Sequence, residues 1–219
     1  NLLQNLNRPL FANSGGNEDV LRLLQDINFV DVSSNAARGV YRRLEERPSP
    51  HNLVSDTKSL RAVGADRSQG GTPPILFERN DGDNQTQVSG IPVKGADLDY
   101  GSTLVQYRWD QNRLGWLRSQ NGSPHSDVDG LQIAPEVVVI QIVSYARSAA
   151  DGRSPEAVLM GTGRALLLFD GRLIEGTWER SGAFDVTRYF DRDGNAVLFP
   201  RGTTWIALPR VGQTRIIEN

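Results

Sequence analysis

Six dipeptides set the scale on which this chain can fold. Asp-Gly occurs at 81–82, 129–130, 151–152, 170–171 and 193–194, and Asn-Gly at 121–122. Asp, Asn and Gly tolerate positive φ, and these pairs favour the tight turns that join antiparallel strands. Five of the six lie beyond residue 120, so the C-terminal half reads as short strands. The clearest hairpin is Ala165–Phe169, turn Asp170-Gly171, then Arg172–Trp178. A second joins Val186–Phe190 to Ala196–Phe199 through Asp191-Arg192-Asp193-Gly194. Val137–Val143 is too apolar to face water on either side and reads as a central strand. Thr203–Leu208 reads as another.

The N-terminal part has a different character. Asn17 reads as the N-cap of a helix beginning Glu18-Asp19, with apolar residues at Val20, Leu21, Leu23 and Leu24. A second short helix is expected from Ser55 as N-cap through Val63, stopped by Gly64. Turn-formers then dominate from Gly64 to Pro74 and again over Asn80–Gln85, which places a boundary near Pro73. The expected fold class is α+β: a small mixed α/β region over 1–72, then a predominantly antiparallel β-rich domain over 73–219.

Composition narrows the function classes. The net charge of −2 gives no global field to recruit nucleic acid or an anionic membrane. The absence of cysteine excludes disulfides, thiolate zinc sites and thiol nucleophiles. No apolar run approaches the roughly 20 residues of a spanning helix, and no stretch reads as a signal peptide. Lys58 and Lys94 are the only lysines beside 22 arginines. That bias fits a high-GC bacterial genome; the functional alternative is a set of anion clamps, because arginine grips carboxylate or phosphate bidentately.

The two histidines both follow proline in turns, Pro50-His51-Asn52 and Pro124-His125-Ser126-Asp127. Imidazole titrates near pH 6.5, so each ring could act as base, acid or ligand. Asn52 could orient His51, with Arg42, Arg43 or Arg47 holding an anion beside it. His125, Asp127 and Asp129 alternate, so Asp127 could orient His125 as in nucleophile-activating dyads, or the three could meet a metal. Against both stands the habit of Asx residues in turns to bond their own backbone. No metal or other cofactor is expected. Ser14 lacks the Gly-x-Ser-x-Gly elbow, and Gly161-Thr162-Gly163 is too short for a dinucleotide loop. Tyr107, Trp109 and Trp116 could form a stacking face for sugar or peptide, or pack a core; Trp178 and Trp205 read as core.

The order of several segments resembles the YerB-type bacterial lipoprotein family, domain-of-unknown-function family 3048. They are Asn13-Ser14-Gly15-Gly16-Asn17, Arg47–Leu53, Tyr107-Arg108-Trp109-Asp110, Arg118 with His125-Ser126-Asp127, Glu136–Val139, Gly161-Thr162-Gly163, Gly176-Thr177-Trp178 and Arg201–Trp205. Asn13 departs from the aromatic residue expected before Ser-Gly-Gly. The resemblance implies an extracytoplasmic, envelope-located protein, often lipid-anchored, and a strand-rich portion upstream of Asn1. It also implies that membrane contact runs only through a lipid anchor not carried by this chain. It supplies no catalytic residue.

The leading expectation is therefore a non-catalytic binding or scaffolding module whose partner is a cell-wall component or an exported protein. Its ligand residues would be Arg43, His51, Asn52, Arg118, His125 and Asp127, lining one cleft and holding an anion. The alternative is an envelope glycan or peptide hydrolase or transferase with His51 or His125 as general base.

Overall fold

The structure, a computed structural model, describes residues 3–65, 74–79 and 90–219. The Asp81-Gly82 turn, the Asn80–Gln85 loop and the boundary at Pro73 lie outside the described residues. The chain divides into two compact units. The first comprises 1–74 with 147–154 and 183–186; the second comprises 75–146, 155–182 and 187–219.

The first unit contains the only two α-helices among the described residues, joined to two-residue strands. β1 (Leu10–Phe11) pairs in parallel with β2 (Val30–Asp31), after the helix α1 (Glu18–Leu24). Asn17 caps α1 as its residue type predicts, its side-chain oxygen accepting from the Asp19 N–H at 2.8 Å. β3 (Arg42–Arg43) pairs with β4 (Leu53–Val54) across the first Pro-His turn. α2 (Thr57–Ala65) differs at both ends from the expectation. Its first turn is held by Asp56, whose carboxylate accepts from the Ser59 N–H at 2.8 Å and the Ser59 hydroxyl at 2.7 Å. Ser55 instead donates its hydroxyl to the Val40 carbonyl. Gly64 lies within the last turn, where any Cβ would meet the end of Leu10 at 2.5 Å. It is a packing glycine rather than a stop.

The second unit is built on one ten-stranded sheet. Its strands are β5 (Ile91–Asp99), β6 (Leu104–Asp110), β7 (Gly115–Gln120), β8 (Ser123–Pro124) and β9 (Val137–Gln141). After the small pair β10 (Tyr145–Arg147) and β11 (Pro155–Ala157) come β12 (Gly161–Phe169), β13 (Arg172–Arg180), β14 (Arg188–Asp191), β15 (Thr204–Ala207) and β16 (Thr214–Glu218). The order is β15-β9-β12-β13-β5-β6-β7-β8, with β14 on β13 and β16 on β5. The protein is thus mostly β, and α+β holds in a coarse sense, since the helical part is minor.

The turn dipeptides act as their chemistry dictates. Asp170 and Gly171 both take positive φ (51° and 67°) and close β12 onto β13 with Phe169 opposite Arg172. Asn121 and Gly122 do the same between β7 and β8. The 186–199 hairpin forms only a short bridge, Phe190 to Ala196, while β14 pairs along its other edge with β13. β15 runs parallel to β9 inside an otherwise antiparallel sheet.

Two apolar clusters explain the composition of β9. Val138 and Ile140 join Leu98, Tyr107, Trp116, Leu166 and Leu168 on one face. Val137 and Val139 join Phe169, Trp178, Tyr189 and Phe199 on the other. All five residues of β9 are buried, so an unbroken apolar run is what its position requires. Trp109 and Trp116 face each other across β6 and β7 with ring centroids 5.1 Å apart. Tyr107 and Trp116 are fully buried and Trp109 packs against them, so this trio is core rather than a stacking face.

On the opposite face of β5, Asp97 is buried and accepts from Arg108 at 2.6 Å and Arg215 at 2.7 Å, one arginine from each flanking strand. Burial disfavours its charge, but the hydrogen bonds from Arg215 and Arg108 outweigh that and hold the carboxyl below the usual carboxylate range. Its contribution to stability is therefore complete above the unfolded-state value of about 3.9 and is lost as pH falls through the lower folded value. Asp97→Asn is expected to lower stability by about 1–2 kcal/mol at neutral pH, and to flatten the acid limb of the stability curve below pH 4. Both arginines are partly exposed and can rehydrate, which keeps the loss below that of a fully buried pair. Urea unfolding of both proteins at pH 7 and pH 3 measures it.

Candidate functional site

The residues expected to hold a ligand fall into two groups, one in each unit. In the first unit, Arg43 donates to the Asn52 side-chain oxygen at 2.6 Å. The Asn52 side-chain amide donates to the Leu44 carbonyl at 3.2 Å, and the Leu44 N–H donates to the Asn52 carbonyl at 2.8 Å. Asn52 is therefore spent closing the β3–β4 turn, and Arg43 braces it. The His51 N–H closes the turn onto the Pro48 carbonyl, and its ring is exposed.

The second group is assembled differently. Tyr107 on β6 lies directly opposite Arg118 on β7, and the His125 N–H donates to the Arg118 carbonyl, just beyond β8. Antiparallel pairing thus lines up a phenol, a guanidinium and an imidazole across three adjacent strands. The Arg118 Nη1 donates to His125 Nδ1. A guanidinium has no lone pair to offer, so in this contact the imidazole Nδ1 is the acceptor. The sheet curls so that β15, at the far end of the strand order, comes back over these residues. Trp205 on β15 lies under the Arg118 guanidinium at 4.7 Å, and its ring meets His125 edge-on at 6.0 Å.

The charge balance here is unusual. Arg118 is 7% exposed, yet no carboxylate among the described residues pairs with it. Its other contact is Gln120 Oε1 at 3.4 Å, a weak bond. Its Nε is buried without a hydrogen-bond partner, and so is the Tyr107 hydroxyl. Burial pushes the Tyr107 phenol up to about 12, and the nearby guanidinium opposes that rise without a well-formed hydrogen bond joining them. Tyr107 is therefore a neutral phenol at every physiological pH. Burial, then the neighbouring Tyr145 phenol, raises Tyr100 as well. Tyr145 donates to the Leu208 carbonyl at 2.7 Å and carries Arg210 over its ring at 4.2 Å. Two arginines seated on aromatic rings thus share one end of the curled sheet.

Asp127 does not orient His125. Its side-chain oxygen accepts from the Asp129 and Leu131 N–H groups at 3.0 and 2.9 Å and holds its own loop. The orienting partner is Arg118. Sequence reasoning marked Arg118 and His125 but assigned Trp205 wholly to the core. It is half-buried, with the ring shared between the core, the Arg118 guanidinium and the edge of the His125 ring. Only the parallel return of β15 brings it there, and no local signal encodes that.

Residues 96–206, just over half of the chain, match the family described as "Protein of unknown function (DUF3048) C-terminal domain". No curated protein matches. The crystal structure of YerB protein from Bacillus subtilis is similar over 95% of this chain and 70% of that one, at 20% identity and a TM-score of 0.77. At that identity the likeness is one of fold. The matched segment carries Tyr107, Arg118, His125 and Trp205, and the chain belongs to the DUF3048 family.

Proposed function

We propose that the chain is a non-catalytic binding module of an envelope-facing protein, and that its second unit holds an anionic group on Arg118 and His125. One observation carries the reading: a guanidinium buried to 7% exposure with no carboxylate partner among the described residues. Burying a charge costs several kcal/mol unless it is compensated. An anionic ligand would supply the missing compensation. The partner we favour is a cell-wall component or another exported protein bearing a carboxylate or phosphate. The location outside the cytoplasm rests on the family resemblance.

The geometry favours holding over proton abstraction. The one lone pair of the His125 ring already accepts from Arg118, so it is unavailable to a substrate proton.

The test is titration with acetate and with inorganic phosphate, followed by tryptophan fluorescence, since Trp205 lies at the site. The expected result is saturable quenching that weakens several-fold as salt rises and is lost in Arg118→Met. Binding that is unchanged in that variant, or no binding at all, would overturn the reading.

A further inference from the structure

Among the described residues, the strand that carries Trp205 pairs along one edge alone. Val137 donates its N–H to the Thr203 carbonyl at 3.1 Å, and Val143 donates to the Pro209 carbonyl at 3.0 Å. The odd-numbered residues from 203 to 209 therefore turn their backbone groups toward β9. By alternation, Thr204 and Ile206 turn theirs the other way. β15 pairs with β9 alone, and no backbone bond to Thr204 or Ile206 from that outer side occurs among the described residues. The Leu208 carbonyl, next in the same row, accepts the Tyr145 hydroxyl. Ile206 is 45% exposed, so the edge is open to a partner.

An open strand edge is a template for another chain, and proteins usually blunt it with charge, proline or a bulge. Thr204–Ala207 has none of these. Instead, the residue between the two open positions is Trp205, whose ring touches Arg118 and His125. An extended peptide laid along this edge would pair with Thr204 and Ile206 and could end within reach of Arg118, which no carboxylate among the described residues pairs. Strand addition and carboxylate capture are two known modes of peptide recognition, and this edge offers both.

We infer that the second unit binds the C-terminal segment of another polypeptide as an added strand on β15, with its terminal carboxylate received by Arg118 and His125. This deepens the anion-binding reading and rests on it. Main-chain hydrogen bonds supply sequence-tolerant affinity, Ile206 favours an apolar side chain at the matching position, and the arginine selects a free terminus.

The experiment uses the full chain and three forms of one N-acetylated Val-Thr-Val-Ile tetrapeptide, followed by calorimetry, with acetate as competitor. The forms are the free carboxylate, the C-terminal amide, and the carboxylate with alternate backbone amides N-methylated. The free carboxylate should bind, and acetate should displace it. The amide and the N-methylated peptide should each bind at least tenfold more weakly. If N-methylation has no effect while the carboxylate is still required, strand addition is overturned and the anion site stands. An amide that binds as well as the acid overturns carboxylate capture. If acetate binds but no peptide does, the inference fails alone; if neither binds, the anion reading fails with it.

Discussion

Arg118→Met is expected to stabilise the protein by about 1–2 kcal/mol while reducing anion binding at least tenfold. The two effects have one cause. Methionine keeps much of the length and apolar stem of arginine, so contact with Trp205 and Tyr107 is largely retained. The buried charge, which no carboxylate among the described residues balances, is removed. Replacing a poorly compensated buried ion by an apolar side chain is often neutral or stabilising, whereas removing a well-paired one is strongly destabilising. The sign of the change therefore separates two roles for Arg118. A rise in Tm of roughly 2–4 °C per kcal/mol, together with lost binding, marks a residue kept for a ligand at the expense of stability. A fall in Tm would mean that the His125, Gln120 and Trp205 contacts outweigh the cost of burial, and that Arg118 is a structural plug. Thermal unfolding with and without acetate reads both.

Gly95→Ala is expected to be the most damaging small substitution near the site. A Cβ at that position would lie 1.9 Å from the Tyr107 carbonyl oxygen. The obstacle is backbone, so no rotamer change relieves it, and β5 must separate from β6 where Gly95 opposes Arg108. Overpacking of this kind costs about 3 kcal/mol or more. Because the displaced carbonyl belongs to Tyr107, which lies opposite Arg118, anion binding should weaken along with stability. Gly39→Ala is the control: nothing lies within 4 Å of its Cβ, and the change should stay within about 0.5 kcal/mol. Equal effects of the two substitutions in urea unfolding would remove the steric argument.

The sequence carried the local features of this protein. Asp170-Gly171 and Asn121-Gly122 specify positive-φ turns, and the hairpins follow from them. The apolar run at 137–141 announces a strand covered on both faces, and Asn17 announces a helix start. These signals depend on conformational preferences and on burial, which a residue carries wherever the chain takes it. Arg118 and His125 were also visible as candidates, because a rare ring beside arginine in a turn-rich segment stands out.

Tertiary structure decided what those residues do. The Asp56 cap superseded Ser55 because the Ser55 hydroxyl found the Val40 carbonyl, a partner 15 residues away. Asp127 and Asn52 were turned inward to their own loops, where nearby N–H and C=O groups outcompete distant side chains. Above all, the parallel return of β15 along β9 placed Trp205 beneath Arg118, and the pairing of β6 with β7 placed Tyr107 beside it. A buried charge with no counterion among the described residues is a property of this arrangement and not of any segment. It arises only when strands nearly 100 residues apart in sequence close over one guanidinium.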